Sequence, residues 1–218
     1  MKIKISLFIA LILPAIVLGQ APDPTRFAEE VETIEQKDFN IDQNKPIVVF
    51  TGSSSVRMWT DVPNYYPQVN AINTAIGGSH YTDLIFYQQE LIYDFAPEKI
   101  FIYEGDNDID AGFSPSEILG TAAYLYAQIR QKLPDTQIYL LTPKPSISRW
   151  HLKEEYEAFN SLLEDFCKYD ENLYFVDVWT PMLNDDGVVR DDIFISDNLH
   201  MNETGYKIWG NVLGNFLK

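Results

Sequence analysis

Cysteine is nearly absent. Cys167 is the only one in 218 residues, so no intramolecular disulfide can form. It ends the stretch 159–167, where apolar residues recur at helical spacing, and a buried structural thiol is expected there. Positive charge is scarce as well. Sixteen Lys and Arg face 32 Asp and Glu, a formal net charge of −16, and no run of Lys or Arg occurs. A nucleic acid or an anionic membrane surface requires a basic patch, so neither is expected as a partner. Long apolar runs are missing except for one at the N-terminus. Residues 5–18 are shorter than the ~20 that a spanning helix needs, so no stable membrane anchor is expected. Lys2 and Lys4 precede this run, and Val17-Leu18-Gly19 ends it with a small residue. This is the layout of a signal peptide over 1–19, cleaved near Gly19, which implies export to the periplasm or the extracellular space. No cysteine follows for lipid attachment, and loss of the two lysines takes the formal charge to −18.

The ~200 residues that remain suit one domain with a substantial core. Residues 20–45 are polar, contain Pro22 and Pro24, and carry a helix-like patch over 26–36. They read as an N-terminal extension of a domain over 46–218. Five short β-rich apolar runs follow, at 47–50, 69–72, 100–103, 138–141 and 173–176. Helix-like segments at about 80–94, 114–133, 152–169 and 202–217 alternate with them, joined by what read as short loops. Continuous apolar strands alternating with helices predict an α/β fold, a five-stranded parallel sheet covered on both faces. Ligands of such sheets bind beyond the carboxyl ends of the strands. Ser54 follows the first strand, Gly77-Gly78 the second, Gly105-Asp106-Asn107 the third, and 144–151 the fourth. The polar motifs therefore converge on one edge.

Their chemistry is that of acyl transfer through a serine ester. Gly52 permits a tight turn that presents a serine at the head of a helix. Asp197 precedes His200 by three residues, a spacing that lets a turn place the carboxylate on the far imidazole nitrogen and fix its tautomer. His80 and His151 have no carboxylate at such short spacing. A tetrahedral intermediate needs preorganised N–H donors about 3 Å from its oxyanion, which Asn107, Gly78 and the Ser54 N–H can supply.

These motifs resemble the four blocks of the SGNH/GDSL hydrolases, over roughly residues 46–217. The first block is similar to Gly52-Ser53-Ser54, with Ser53 in place of the usual aspartate, as in the branch that resembles platelet-activating-factor acetylhydrolase. The second is similar to Asn73-Thr74-Ala75-Ile76-Gly77-Gly78-Ser79, the third to Gly105-Asp106-Asn107-Asp108, and the last to Asp197-Asn198-Leu199-His200. The resemblance implies a flavodoxin-like three-layer α/β/α sandwich. It also implies Ser54 as nucleophile, His200 as base, Asp197 as its orienter, and an oxyanion hole at Gly78, Asn107 and Ser54, with no cofactor or metal.

Other patterns compete. Residues 51–55 could instead cradle phosphate or flavin, although that leaves Asn107, Asp197 and His200 without a role, and transfer of the acyl group to another alcohol is an alternative to hydrolysis. Asp106, Asp108, Asp110 and Glu117 follow calcium-loop spacing, but Ala111 stands where the turn needs glycine, so no metal is expected. The segment 143–152 contributes Lys144, Arg149, Trp150 and His151 beside Trp59 to a polar, aromatic rim, with no large apolar lid. That rim suits a short acyl ester of a polar alcohol, for example a small-molecule or carbohydrate ester.

Overall fold

Alternate residues of five short strands face opposite ways and feed two separate cores. The computed structural model describes residues 22–217, so the expected signal segment and its cleavage site lie outside the described residues. The strands are β1 (Ile47–Gly52), β2 (Asn70–Asn73), β3 (Lys99–Tyr103), β4 (Gln137–Leu141) and β5 (Leu173–Val176). They form one parallel sheet in the order β2-β1-β3-β4-β5. The helices are α1 (Ala28–Glu35), α2 (Ser54–Arg57), α3 (Val62–Tyr65), α4 (Tyr81–Phe86), α5 (Gln88–Leu91), α6 (Asp106–Asp110), α7 (Pro115–Lys132), α8 (Lys153–Phe166) and α9 (Glu203–Gly214). Val49, Ile100, Ile102, Ile138 and Leu140 pack under α1, α4, α5, α7 and α8. Val48, Phe50, Phe101, Tyr139 and Val176 pack under α2, α3 and α9. The result is a three-layer α/β/α sandwich.

In-register parallel pairing aligns aromatic residues across the second face. Phe50 opposes Phe101, Phe101 opposes Tyr139, and Tyr139 opposes Tyr174. Their rings stack at centroid distances of 5.0, 4.5 and 4.6 Å, and Tyr66 extends the row at 5.7 Å from Phe50. Cross-strand aromatic pairs add to the burial of their area. Phe101 lies at the centre and is 1% exposed. Phe101→Ala should therefore lower stability by about 3–5 kcal/mol. Urea denaturation measures it, and a loss under about 1 kcal/mol would mean that the row does not support the sheet.

The N-terminal stretch packs as part of the same body. Phe27, Val31 and Ile34 enter the first core, and Arg26 grips the buried Asp83 carboxylate with bonds of 2.9 and 2.5 Å. Two expectations need correction. The single helix over 80–94 is three short pieces, because the backbone bends at Tyr87 and Ile92, and the Leu91 carbonyl accepts the Thr74 hydroxyl at 2.8 Å. Nor are all the loops short. Residues 177–202 contain one 3-10 turn, Thr180–Met182, and two isolated bridges, Leu183↔Val189 and Phe194↔Met201. Pro181, Gly187 and the Asn and Asp residues between them favour turns. Met182, Ile193, Phe194 and Met201 are buried, which anchors the stretch, and it carries Asp197 and His200.

Candidate active site

Glycine at position 52 is required by both conformation and space. It ends β1 at φ +118°, and a side chain there would run into the Tyr103 carbonyl. The Ser53 N–H donates to that carbonyl at 3.0 Å, and Ser54 heads α2 at the carboxyl edge of the sheet. On the other side, Asn198 adopts φ +58°, a left-handed conformation that asparagine tolerates. The turn folds Asp197 back onto its own neighbours: Oδ1 accepts the N–H groups of Leu199 and His200, both at 2.9 Å. Its other oxygen, Oδ2, lies 2.6 Å from His200 Nδ1. Across the ring, His200 Nε2 lies 2.8 Å from Ser54 Oγ. The geometry thus brings together three residues that span 146 positions of sequence.

Burial works to raise the Asp197 carboxyl pKa, but the bonds from the His200 ring and from two backbone N–H groups outweigh it and hold the pKa down to about 2. A depressed folded pKa means that this stabilisation is present above the reference value of 3.8 and is lost as pH falls through about 2. The stability difference between wild type and Asp197→Asn should accordingly be largest above about pH 5 and shrink towards pH 2. Denaturant titrations across that range measure it. A difference independent of pH would show that the ionised carboxylate contributes nothing.

The donors expected around the oxyanion differ in their state. Gly78 is exposed at φ +81°, and its N–H and that of Ser54 have no hydrogen-bond partner among the described residues. Asn107, by contrast, is fully engaged. Its Nδ2 donates to Ser53 Oγ at 2.7 Å and to the Ser79 carbonyl at 2.8 Å. Donation to an oxyanion would require it to share or exchange one of these, and a charged acceptor outcompetes a neutral hydroxyl. Ser53, 1% exposed, therefore has a place in the site that the sequence does not reveal.

Arg149 sets which way the Asn107 amide points. Its Nη1 and Nη2 both lie 3.2 Å from Asn107 Oδ1, and a donor-only guanidinium selects the oxygen and so turns Nδ2 towards Ser53 and Ser79. Arg149 also pairs with Asp106 at 2.7 Å and Asp110 at 2.9 Å, leaving its side chain 13% exposed. It is a clamp on Asp106, Asn107 and Asp110, a role that its expected place on the rim does not include. Trp59 needs a correction. It is 0% exposed and lies in the second core, stacked on Tyr206 at 5.6 Å, so it cannot touch substrate. Trp150 is half-buried and stacks on Trp179 at 6.0 Å.

Two buried charged or ionisable groups, neither evident from motifs, support the site. Lys144, 0% exposed, donates from Nζ to the Leu199 carbonyl at 2.7 Å and lies 3.9 Å from Asp106 Oδ2. It ties the turn that carries His200 to the residue preceding Asn107. Burial lowers the Lys144 pKa, and the Asp106 charge opposes that shift. Glu104, also 0% exposed, accepts the Ser79 hydroxyl at 2.5 Å, behind the carbonyl that Asn107 holds. Burial, reinforced by Asp108, pushes the Glu104 carboxyl well above its usual range.

The competing patterns look different in space. Thr51, Ser53 and Ser55 are buried and the Ser53 N–H is committed to the Tyr103 carbonyl, so within residues 51–55 Ser54 is the one serine or threonine whose side chain is not buried. Asp106, Asp108 and Asp110 lie on α6 instead of a loop, and Glu117 closes the capping box of α7 with Ser114. Among the described residues no cluster of His, Cys, Asp and Glu is arranged to hold a metal. The Cys167 thiol is buried and pushed up to about 12, as suits a structural residue. His80 Nδ1 lies 3.7 Å from Asp108, a neighbour that short sequence spacing could not show, but among the described residues no serine bonds to its ring. Among the described residues no helix is long and apolar enough to cross a membrane.

The sequence model of the GDSL-like Lipase/Acylhydrolase family matches residues 47–208. No curated protein sequence matches the chain. Among solved structures, a Streptococcus pneumonia protein provisionally described as a platelet activating factor superposes with a TM-score of 0.76 at 21% identity, covering 89% of this chain and 95% of its own. A GDSL-like lipase from Bacteroides thetaiotaomicron gives 0.71 at 18% identity, with coverages of 89% and 97%. A catalytic mutant of an acetylxylan esterase from Geobacillus stearothermophilus gives 0.65 at 14% identity, with coverages of 79% and 94%. At these identities the likeness is one of fold.

Proposed function

The chain belongs to the GDSL-like lipase/acylhydrolase family, and we propose that it is an exported serine esterase acting on short-chain, chiefly acetyl, esters of polar alcohols. One observation carries the reading: the continuous line from Ser54 Oγ through His200 to Asp197, with contacts of 2.8 and 2.6 Å. With Asp197 accepting from Nδ1–H, the Nε2 lone pair faces the Ser54 hydroxyl. His200 takes that proton as Ser54 Oγ attacks the ester carbonyl carbon. The oxyanion forms beside the unpaired N–H groups of Gly78 and Ser54, with Asn107 Nδ2 as the third donor. Collapse breaks the bond to the alcohol, which leaves with the proton from His200. Water then repeats the sequence on the acyl-enzyme and regenerates Ser54.

The exposed Gly78 and the exposure of His200 (19%) and Asp197 (42%) support an open, solvated site, which favours water as acceptor and a small acyl group. An acetylxylan esterase among the fold neighbours is consistent with acetyl transfer. Rates on nitrophenyl esters of increasing chain length test the reading. The expected profile has its highest kcat/KM at about two to four carbons and falls for longer chains. A maximum at about ten carbons or beyond would rule out the short-acyl assignment.

A further inference from the structure

Cations are few in this chain, and most of those described are committed. Arg26 holds Asp83, Arg130 holds Asp170, Arg149 holds Asp106 and Arg190 holds Asp192. Arg57 and Lys37 differ, and they line the same groove. It encloses about 410 Å³ between α1, the segment after α2 and the end of β2, with Glu30, Thr33, Thr60 and Asn73 also in its wall. That volume suits a small-molecule site. The Arg57 side chain is 50% exposed, and its ion pair with Glu30, at 3.6 Å, is longer than a hydrogen bond. Glu30 in turn accepts the Gly77 N–H at 3.2 Å, so its charge is shared. Lys37 has no carboxylate partner among the described residues, and its ammonium lies 4.9 Å from the Phe39 ring centroid. Two cationic residues and one carboxylate, whose charge is shared, therefore line the groove.

The groove adjoins the reacting centre. Arg57 lies three residues after Ser54 on α2, on the same helical face. A side chain added at Gly77 would come within 2.6 Å of Arg57 Nε, so the guanidinium lies against the residue that precedes Gly78. We propose that this groove is a subsite for an anionic oxygen group, a carboxylate or a phosphate, carried by the ester substrate. The guanidinium offers a planar fork that matches either group, and the hydroxyls of Thr33 and Thr60 line the same space. In a chain of net charge −16, whose distant field repels anions, a local pair of cations is what retains one. The proposal rests on the esterase reading and adds the charge of the substrate to it.

Three acetylated substrates of one size test it: a methyl glucoside, a methyl glucuronide and a methyl glucoside phosphate. The wild type should favour a charged member over the neutral one by about 10-fold in kcat/KM, and whichever anion is favoured identifies the source. The double variant Arg57→Gln/Lys37→Gln should erase that preference. Lys132→Gln, which precedes β4 at the opposite end of the sheet, should keep it. Calorimetry on Ser54→Ala with the deacetylated sugars reads binding without turnover, and a charged sugar should bind about 10-fold more tightly than the neutral one. Equal kcat/KM and equal binding for all three, or a preference that survives the double variant, overturns the subsite while leaving the esterase reading intact. Absence of hydrolysis with selective anion binding overturns the esterase reading and leaves the groove standing.

Discussion

Ser54→Ala is expected to lower kcat by about 10⁴-fold or more on any ester the enzyme turns over, with KM little changed. The hydroxyl removed makes one contact, to His200 Nε2, and contributes little to either core. The melting temperature should therefore stay within about 2 °C of wild type. The residual rate would come from the donors that remain around the oxyanion. Ser53→Ala should behave differently. It leaves the nucleophile in place and loosens Asn107, so a partial loss is expected. Near-normal turnover by Ser54→Ala would remove the nucleophile from the account.

His200→Ala should match that loss to within about an order of magnitude, because nucleophile and base act as a unit. The double variant Ser54→Ala/His200→Ala should be no slower than either single one. Asp197→Ala is expected to retain more activity. The His200 ring would lose its partner at 2.6 Å, but Nε2 would still reach Ser54 Oγ. Steady-state kinetics on the four proteins measure the pattern. Multiplicative losses in the double variant would mean that the two residues work independently, which the geometry does not allow. If His80→Ala were inactive and His200→Ala active, the base would be elsewhere.

What the sequence reveals and what it hides follow from how the contacts are made. Asp197 and His200 are legible because a turn of four residues joins them, and Ser54 because Gly52 can do only a few things at the end of an apolar strand. The central strands β1, β3 and β4 are legible because each is buried on both faces and reads as a nearly unbroken apolar run, whereas the edge strands β2 and β5 are only half-buried. Contacts across 40 or more positions leave no such trace. Arg149 reads as a rim residue because nothing local shows that Asn107 and Asp106 lie against it. Lys144 also reads as a rim residue, although it is 0% exposed, because its partner, the Leu199 carbonyl, is 55 positions away. An aromatic residue five positions after a nucleophile can line a rim or fill a core with equal ease. The choice for Trp59 is made by Tyr206 and Trp209 on the far helix α9.

The reactivity of one hydroxyl tests the central claim most directly. A nitrophenyl phosphonate ester with a short alkyl group should react with the protein at a single position, releasing nitrophenol and leaving phosphorus bound to the serine oxygen. Peptide mass spectrometry then locates the adduct. The account predicts one adduct per chain, on Ser54, that fails to form in His200→Ala. Label on Ser53, Ser55 or any other residue, or ester hydrolysis that continues undiminished in fully labelled protein, would contradict it.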